Sequence, residues 1–363
     1  MATPQQMQAL LDGPAMVPPS GIEPNFVNPE NKTRYFVLTV VLTMVVSTSA
    51  FLMRVYTKTR LIRKVGWEDY TLILGYFLFI GYCVPTSLLI KAGGGVHQWD
   101  IQLKALIPIL YYTNITSIIY CFTTFIIKLS ILLQYLKIFP PVQKRDLMYW
   151  GTYSLIWLNL GFYIADIFAE LFLCSPREKY WKVLITTGHC YSATTVNIAS
   201  GIFNTISDFL TLLLPQRVIW KLQMPLKRKL GVSAIFLTGL FVCITSILRL
   251  YYSVRLAQSG DISYNLALMG FWTYAELSVG ILCACLPVSP RFVQTVGPKL
   301  SKMTGSGSSL GSRLGWSKAK RRSAEESWGS DDTVEMWKGP SGRHVKLRDG
   351  GTVQVERERE EDV

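Results

Sequence analysis

Apolar runs of about 20 residues recur along this chain, and that recurrence limits its fold more than any other feature. As a helix, such a run is about 30 Å long, the thickness of a bilayer's hydrocarbon core. The stretch Asn197–Gly231 carries the fullest signature. Its apolar run holds one carboxylate, Asp208, with Asn197 and Asn204 on the same run. Pro215 predicts the end of the helix, and a basic loop follows with Arg217, Lys221, Lys227, Arg228 and Lys229. A long apolar helix closed by cations reads as a membrane span whose loop faces the cytoplasm.

Six further spans are expected: about Tyr35–Met53, Trp67–Ile90, Tyr112–Ile138, Leu147–Leu173, Leu230–Val254 and Leu266–Val288. Half of the residues are hydrophobic, too many for an ordinary soluble enzyme. The fold class is therefore all-α, a polytopic bundle of seven transmembrane helices. Residues 1–33 are polar, hold six Pro, and read as a flexible extracellular tail. No charged start followed by an apolar core marks a cleaved signal peptide. Residues 34–290 form the bundle. Residues 291–363 turn Gly- and Ser-rich and then mixed in charge, a disordered cytoplasmic tail.

The net charge of +13 does not point to nucleic acid, because the cations sit between apolar runs and in the tail. Lys and Arg together give orientation. Segments 54–66, 137–146 and 215–230 hold 5, 3 and 5, and the tail holds 14. Segments 1–34, 91–104, 174–190 and 254–266 hold 2, 2, 3 and 1. The bias puts the N-terminus outside and the tail in the cytoplasm. Of 7 Cys, five (Cys83, Cys121, Cys243, Cys283, Cys285) lie in apolar runs and read as small hydrophobes. The other two, Cys174 and Cys190, flank a polar loop on the outer side, where oxidation is permitted. Their pairing would contribute roughly 3 kcal/mol; the alternative is two free thiols at span ends. Asn31-Lys32-Thr33 is a glycosylation acceptor on the same side.

Acids and bases inside spans are costly and mark packing or function. Six occur: Lys128, Asp166, Glu170, Asp208, Arg249 and Glu276. At ~1.5 Å per residue, Lys128 lies about 15 Å and Asp208 about 10 Å above the inner surface, so they can pair. Asp166 and Arg249 each lie about 8–10 Å below the outer surface, a second possible pair. Glu170 is shallower and reads as wet, while Glu276 has no evident partner. Glu68 and Asp69 open a helix and suit its dipole. These groups either lock helices together or form a polar pocket in the outer half.

Much chemistry is excluded. The last span has no Lys, so no retinal is expected. His97, His189 and His344 are scattered, so no metal site is expected. The glycines at 93–95 lack the Lys-Ser or Lys-Thr of a phosphate loop. No cofactor is implied.

Several motifs keep one order along residues 35–295: Arg54-x-Tyr56, Trp67-Glu68-Asp69, Gly93–Gly95 with His97, Trp99-Asp100, and Tyr111-Tyr112-Thr113-Asn114. Further on come Lys128-Leu129-Ser130 through Phe139-Pro140, and Cys174-x-Pro176 with Trp181 and Gly188-x-Cys190. Asn204 through Asp208-Phe209, Leu212–Pro215, Lys221–Pro225 and Gly280–Pro287 complete the set. In these the chain resembles the fungal rhodopsin-like integral membrane proteins. That group includes receptor-like proteins of plant-pathogenic fungi and proteins of secondary-metabolite clusters such as the satratoxin cluster. Two departures stand out: Val96, where many relatives carry a basic residue, and no Cys-rich domain ahead of the first span.

The resemblance implies a receptor-like sensor of an extracellular small molecule, binding near His97, Trp99, Asp166, Arg249 and Glu276. The basic loop after the fifth span and the tail would meet anionic lipid and a cytoplasmic signalling partner. Span three ends Gln134-Tyr135-Leu136-Lys137, without the acid-Arg-Tyr triplet of G-protein coupling. A second reading is a membrane-embedded biosynthetic enzyme, with Asp166, Asp208 or Glu276 protonating an apolar substrate in a cyclisation or isomerisation. A third is an export-assisting protein of such a pathway. The default location is the plasma membrane.

Overall fold

A computed structural model describes residues 4–21, 23–27, 29–138, 147–182, 184–221 and 226–303. Residues 1–298 form one unit; of the second, residues 299–363, the described part is 299–303. The helices are α1 (Pro4–Asp12), α2 (Thr33–Tyr56), α3 (Trp67–Lys91), α4 (Leu103–Ile138) and α5 (Leu147–Leu171). They continue with α6 (Ala193–Lys221), α7 (Leu226–Gln258), α8 (Ile262–Cys285) and α9 (Ser289–Met303). Seven helical segments are long and apolar enough to cross a membrane, one each in α2 to α7 and one running from α8 into α9. The protein is a multi-pass membrane protein.

The spans pack in a closed order, α3–α4–α5–α6–α7–α8–α2, and α4 also meets α8 across the middle. These two are the most buried spans. Their contact is close because α4 faces glycine: a Cβ on Gly75 of α3 or Gly280 of α8 would lie 3.2 and 3.1 Å from Ile127. Small residues at such crossings let helices gain dispersion contact where lipid offers no hydrophobic drive. Phe79, Leu132, Tyr274 and Ile281 fill the core around them. Leu38, Val41, Leu42, Val45 and Leu52 of α2 point outward instead. In a bilayer that exposed stripe meets acyl chains.

Several boundaries differ from expectation. The first span does not stop at Met53; α2 runs to Tyr56 and on into a π-helical turn, Thr57–Ile62, so the basic segment is partly helical. Third-span helix starts at Leu103 rather than Tyr112 and carries Pro108 inside it. At roughly 54 Å it is longer than the hydrocarbon core, so it projects beyond it. Pro215 does not end α6, which continues to Lys221. Such breaks are tolerated in membrane helices, where neighbouring groups take up the freed carbonyl. The Phe139-Pro140 end of the third-span motif lies outside the described residues, and so does residue 304 onward of the tail.

The N-terminal segment does not hang free. Ala15 N–H donates to the Ile101 carbonyl at 2.8 Å, Leu103 N–H to Gly13 at 3.0 Å, and Lys32 N–H to Gly95 at 3.2 Å. Asp100 accepts from the Asn25 N–H at 2.8 Å, and Lys104 pairs with Asp12 at 2.7 Å. Its prolines deny it a long helix, yet the amides of Ala15, Asn25 and Lys32 find partners in the α3–α4 connection. On the same face Cys174 and Cys190 form a disulfide. It joins β1 (Cys174–Ser175) to β2 (His189–Cys190), an antiparallel pair. This face is called outer below, and the face bearing Thr57–Ile62 inner.

Candidate functional site

The buried charges of the spans gather into one chain of contacts. Asn204 and Asp208 stand one turn apart on α6, and Ser246 and Arg249 one turn apart on α7, so each pair shares a helix face. Lys128 Nζ of α4 lies 2.8 Å from Asp208 Oδ1. Arg249 Nε lies 2.8 Å from Glu276 Oε2 of α8. Asn204 joins the two pairs. Its amide donates to Glu276 Oε1 at 2.9 Å and to Asp208 Oδ2 at 3.2 Å, and its carbonyl oxygen accepts from Tyr163 at 2.7 Å. Tyr120 also donates to Glu276 Oε1, at 2.8 Å, and the Arg249 guanidinium lies 4.9 Å over the Tyr120 ring. Ser246 donates to Asp208. Paired and hydrogen-bonded in this way, the four charges can stay buried.

A cavity of about 60 Å³ opens at the outer end of this chain. Asp166 and Glu170 of α5, Asn197 and Ser200 of α6, Arg249, and Tyr120 and Cys121 line one side. Phe36, Tyr82, Leu89 and Leu266 line the other. It has room for a few waters. Asp166 accepts the Ser200 hydroxyl at 2.7 Å and the Cys121 thiol at 3.2 Å. Arg249 Nη2 is buried and has no hydrogen-bond partner among the described residues. Tyr180, in the disulfide loop, has its phenol pKa raised, first by burial and then by the nearby Glu170 charge.

Depth arithmetic pairs Arg249 with Asp166; the side chain instead reaches Glu276, which thus has a partner after all. Asp166 keeps neutral donors. Glu170 is 6% exposed, buried rather than wet. Asp166, Glu170 and Arg249 line the cavity together, and Glu276 stands behind Arg249. His97 and Trp99 are not among the lining residues. His97 stacks between Trp99 and Tyr264, with ring centres 4.3 and 4.2 Å away, and its Nδ1 lies 2.5 Å from Asp261 Oδ2. Both residues hold the α3–α4 connection against the start of α8. Asn31 is exposed, and its backbone bridges Val96. Among the described residues no group of three His, Cys, Asp or Glu is placed to hold a metal ion.

A second charge cluster, at the inner ends, escapes a reading by sequence. Arg54, only 2% exposed, donates to Asp69 through Nε at 2.9 Å and Nη2 at 2.7 Å. Its Nη1 reaches Gln134 at 3.0 Å and the Ala284 carbonyl. Lys58 lies 3.0 Å from both Glu68 and Asp69, and Lys137 2.6 Å from Glu68. Asp69 also caps α3, accepting the Gly66 N–H at 3.1 Å. The expected capping is present, then, within a larger network that binds α2, α3, α4 and α8. The signal was Arg54 and Lys58 one helical turn apart, facing two adjacent acids.

These features define a seven-helix integral membrane protein with a charge-paired polar interior and a small cavity at its outer end. The chain belongs to the fungal rhodopsin family, whose domain matches residues 53–295. It is 34% identical over 302 residues to an SAT4 family membrane protein of Emericella nidulans, covering 83% of this chain and 72% of that one. It is 31% identical over 290 residues to the Fugralins biosynthesis cluster protein 2 of Gibberella zeae, covering 79% and 72%. A more distant relative, 22% identical over 315 residues, is Receptor GIN3 of Arthrobotrys oligospora, covering 84% and 74%. No solved structure matches the chain.

Proposed function

We propose that this chain is a receptor-like sensor whose small-molecule ligand enters the cavity from the outer, extracellular side. One observation carries the reading. Arg249 is both a wall of the cavity and the first link of the bonded chain through Glu276 and Asn204 to Asp208 and Lys128. A ligand touching Arg249 therefore acts on contacts among α4, α6, α7 and α8. The relative named as a receptor supports the reading. In this reading the basic segment 217–229 and the tail meet anionic lipid of the plasma membrane and a cytoplasmic signalling partner. The test is expression in a reporter cell with cyclic-nucleotide and calcium readouts, screened against a metabolite library. Ser117 also lines the cavity, and a responding ligand should lose its effect in Ser117→Leu, which narrows it, and in a charge-swapped 217–229 segment. Silence in both readouts across the library would sink the idea.

A second reading, a membrane-embedded biosynthetic enzyme, draws on Asp166 and Glu170 at the cavity wall and on the relative named for a biosynthesis cluster. Asp208 and Glu276 suit it less, because neither lines the cavity and each is already engaged, by Lys128 and by Arg249. Co-expression with neighbouring pathway genes tests it: products unchanged by Asp166→Asn and Glu170→Gln would exclude it.

A further inference from the structure

We propose that the outer cavity takes a compact ligand bearing an ammonium group and a hydrogen-bond acceptor, the chemistry of a small free amino acid. This rests on the reading of the cavity as a ligand site.

The charge census of the spans points there. Lys128 cancels Asp208, and Arg249 cancels Glu276. Asp166 and Glu170 remain, one turn apart on α5, buried and both at the cavity wall. Only neutral donors serve Asp166: the Ser200 hydroxyl and the Cys121 thiol. Among the described residues no hydrogen bond or ion pair reaches the Glu170 carboxylate, its one contact there being a backbone carbonyl that accepts from Asn114. Carboxylates buried without a cation are costly, the more so within a bilayer. An ammonium has three donors and no acceptor, so one such group can serve both acids.

The opposite need exists on α7. Arg249 Nη2 is buried without a partner, while its Nε is held by Glu276. A buried guanidinium nitrogen without a partner, on a residue at the cavity wall, asks for an acceptor, and a carboxylate suits it best. Donor-seeking acids and an acceptor-seeking cation around one cavity thus describe one ligand with both groups. The wall of Phe36, Tyr82 and Leu266 suits a short aliphatic side chain. A volume of about 60 Å³ restricts the ligand to a small body and requires the helices to part slightly around it.

Four probes share one isobutyl body: valine carries both groups, isobutylamine the ammonium alone, isovalerate the carboxylate alone, and isobutanol neither. The full-length chain, purified in detergent, is unfolded by heat and followed by the fluorescence of its 10 Trp. Valine should raise the midpoint most, isobutylamine less, and the other two not at all. Glu170→Gln should leave the ligand-free midpoint near its starting value and weaken the apparent affinity for valine about tenfold, the worth of one charge-assisted hydrogen bond. Equal shifts from isovalerate or isobutanol overturn the proposal. So do an undiminished valine effect in Glu170→Gln, the same shift from sodium or potassium chloride at equal concentration, or silence from all four probes. The two failures stay apart. If the probes are silent but a library ligand acts and is lost in Ser117→Leu, the ammonium assignment fails and the cavity remains a ligand site. If that ligand still acts in Ser117→Leu, the cavity reading itself fails.

Discussion

The inner charge cluster and the outer cavity are both buried and both carry acids and bases, yet they are finished to different degrees. At the inner ends, Arg54 is bonded through all three guanidinium nitrogens, and Glu68 and Asp69 each meet two cations. At the outer end, among the described residues, Arg249 Nη2 has no partner and Glu170 meets no cation. A completed network holds helices in place and loses by any change. An incomplete one has a free energy deficit that a bound group can relieve. The two sites share one physics and differ in what remains to be satisfied.

That contrast can be broken most forcefully at the inner cluster. Arg54→Met takes one of the two cations of Asp69 and the donor of both Gln134 and the Ala284 carbonyl, and should destabilise the chain by about 3–5 kcal/mol, read as a collapse of the monodisperse peak in size-exclusion chromatography. An unaltered peak and midpoint would mean that the cluster is not structural. Lys128→Met should cost a similar, slightly smaller amount, and adding Asp208→Leu should recover much of it, because the orphaned charge goes too. A double variant no better than the single would refute the pairing as the cause. Removing the disulfide with Cys174→Ser and Cys190→Ser should lower stability by roughly 3 kcal/mol; a midpoint indifferent to reductant would contradict this. Asn204→Leu should cost about 1–3 kcal/mol by leaving Tyr163 and the two acids each short of a bond. The smallest effect belongs to the cavity. Glu170→Gln should leave ligand-free stability unchanged or raise it by under about 1 kcal/mol, since no partner is lost and an uncompensated buried acid is removed. A large drop there would erase the distinction between the two regions.

The spans, the cysteine pair and the meeting of Lys128 with Asp208 were legible because each follows from position along a helix axis. Length against bilayer thickness and depth below a surface are one-dimensional quantities. The partner of Arg249 was not legible for the same reason. A helix turns about 100° per residue, and depth does not say which way a side chain points or which helices adjoin. Asp166 matched Arg249 in depth, but Glu276 faced it. From sequence, Arg54 and Lys58 are expected in a loop, because basic residues after an apolar run suggest a membrane edge. The helix carried on through them, and its turn brought both to the acids of α3. The N-terminal segment misled through composition: Pro-rich and polar sequence argues against helix, not against pairing with another loop. Pro215 likewise marks a missing amide, which a helix inside a bilayer can accommodate.

Helix α8 touches both regions, through the Glu276 carboxylate and, eight residues later, the Ala284 carbonyl that Arg54 grips. About 12 Å of continuous helix separates these points, and a rod that short transmits displacement with almost no give. A pull on the upper handle would be felt at the lower one, so under the proposed reading occupancy at the outer mouth and the hold on the inner ends become a single mechanical variable.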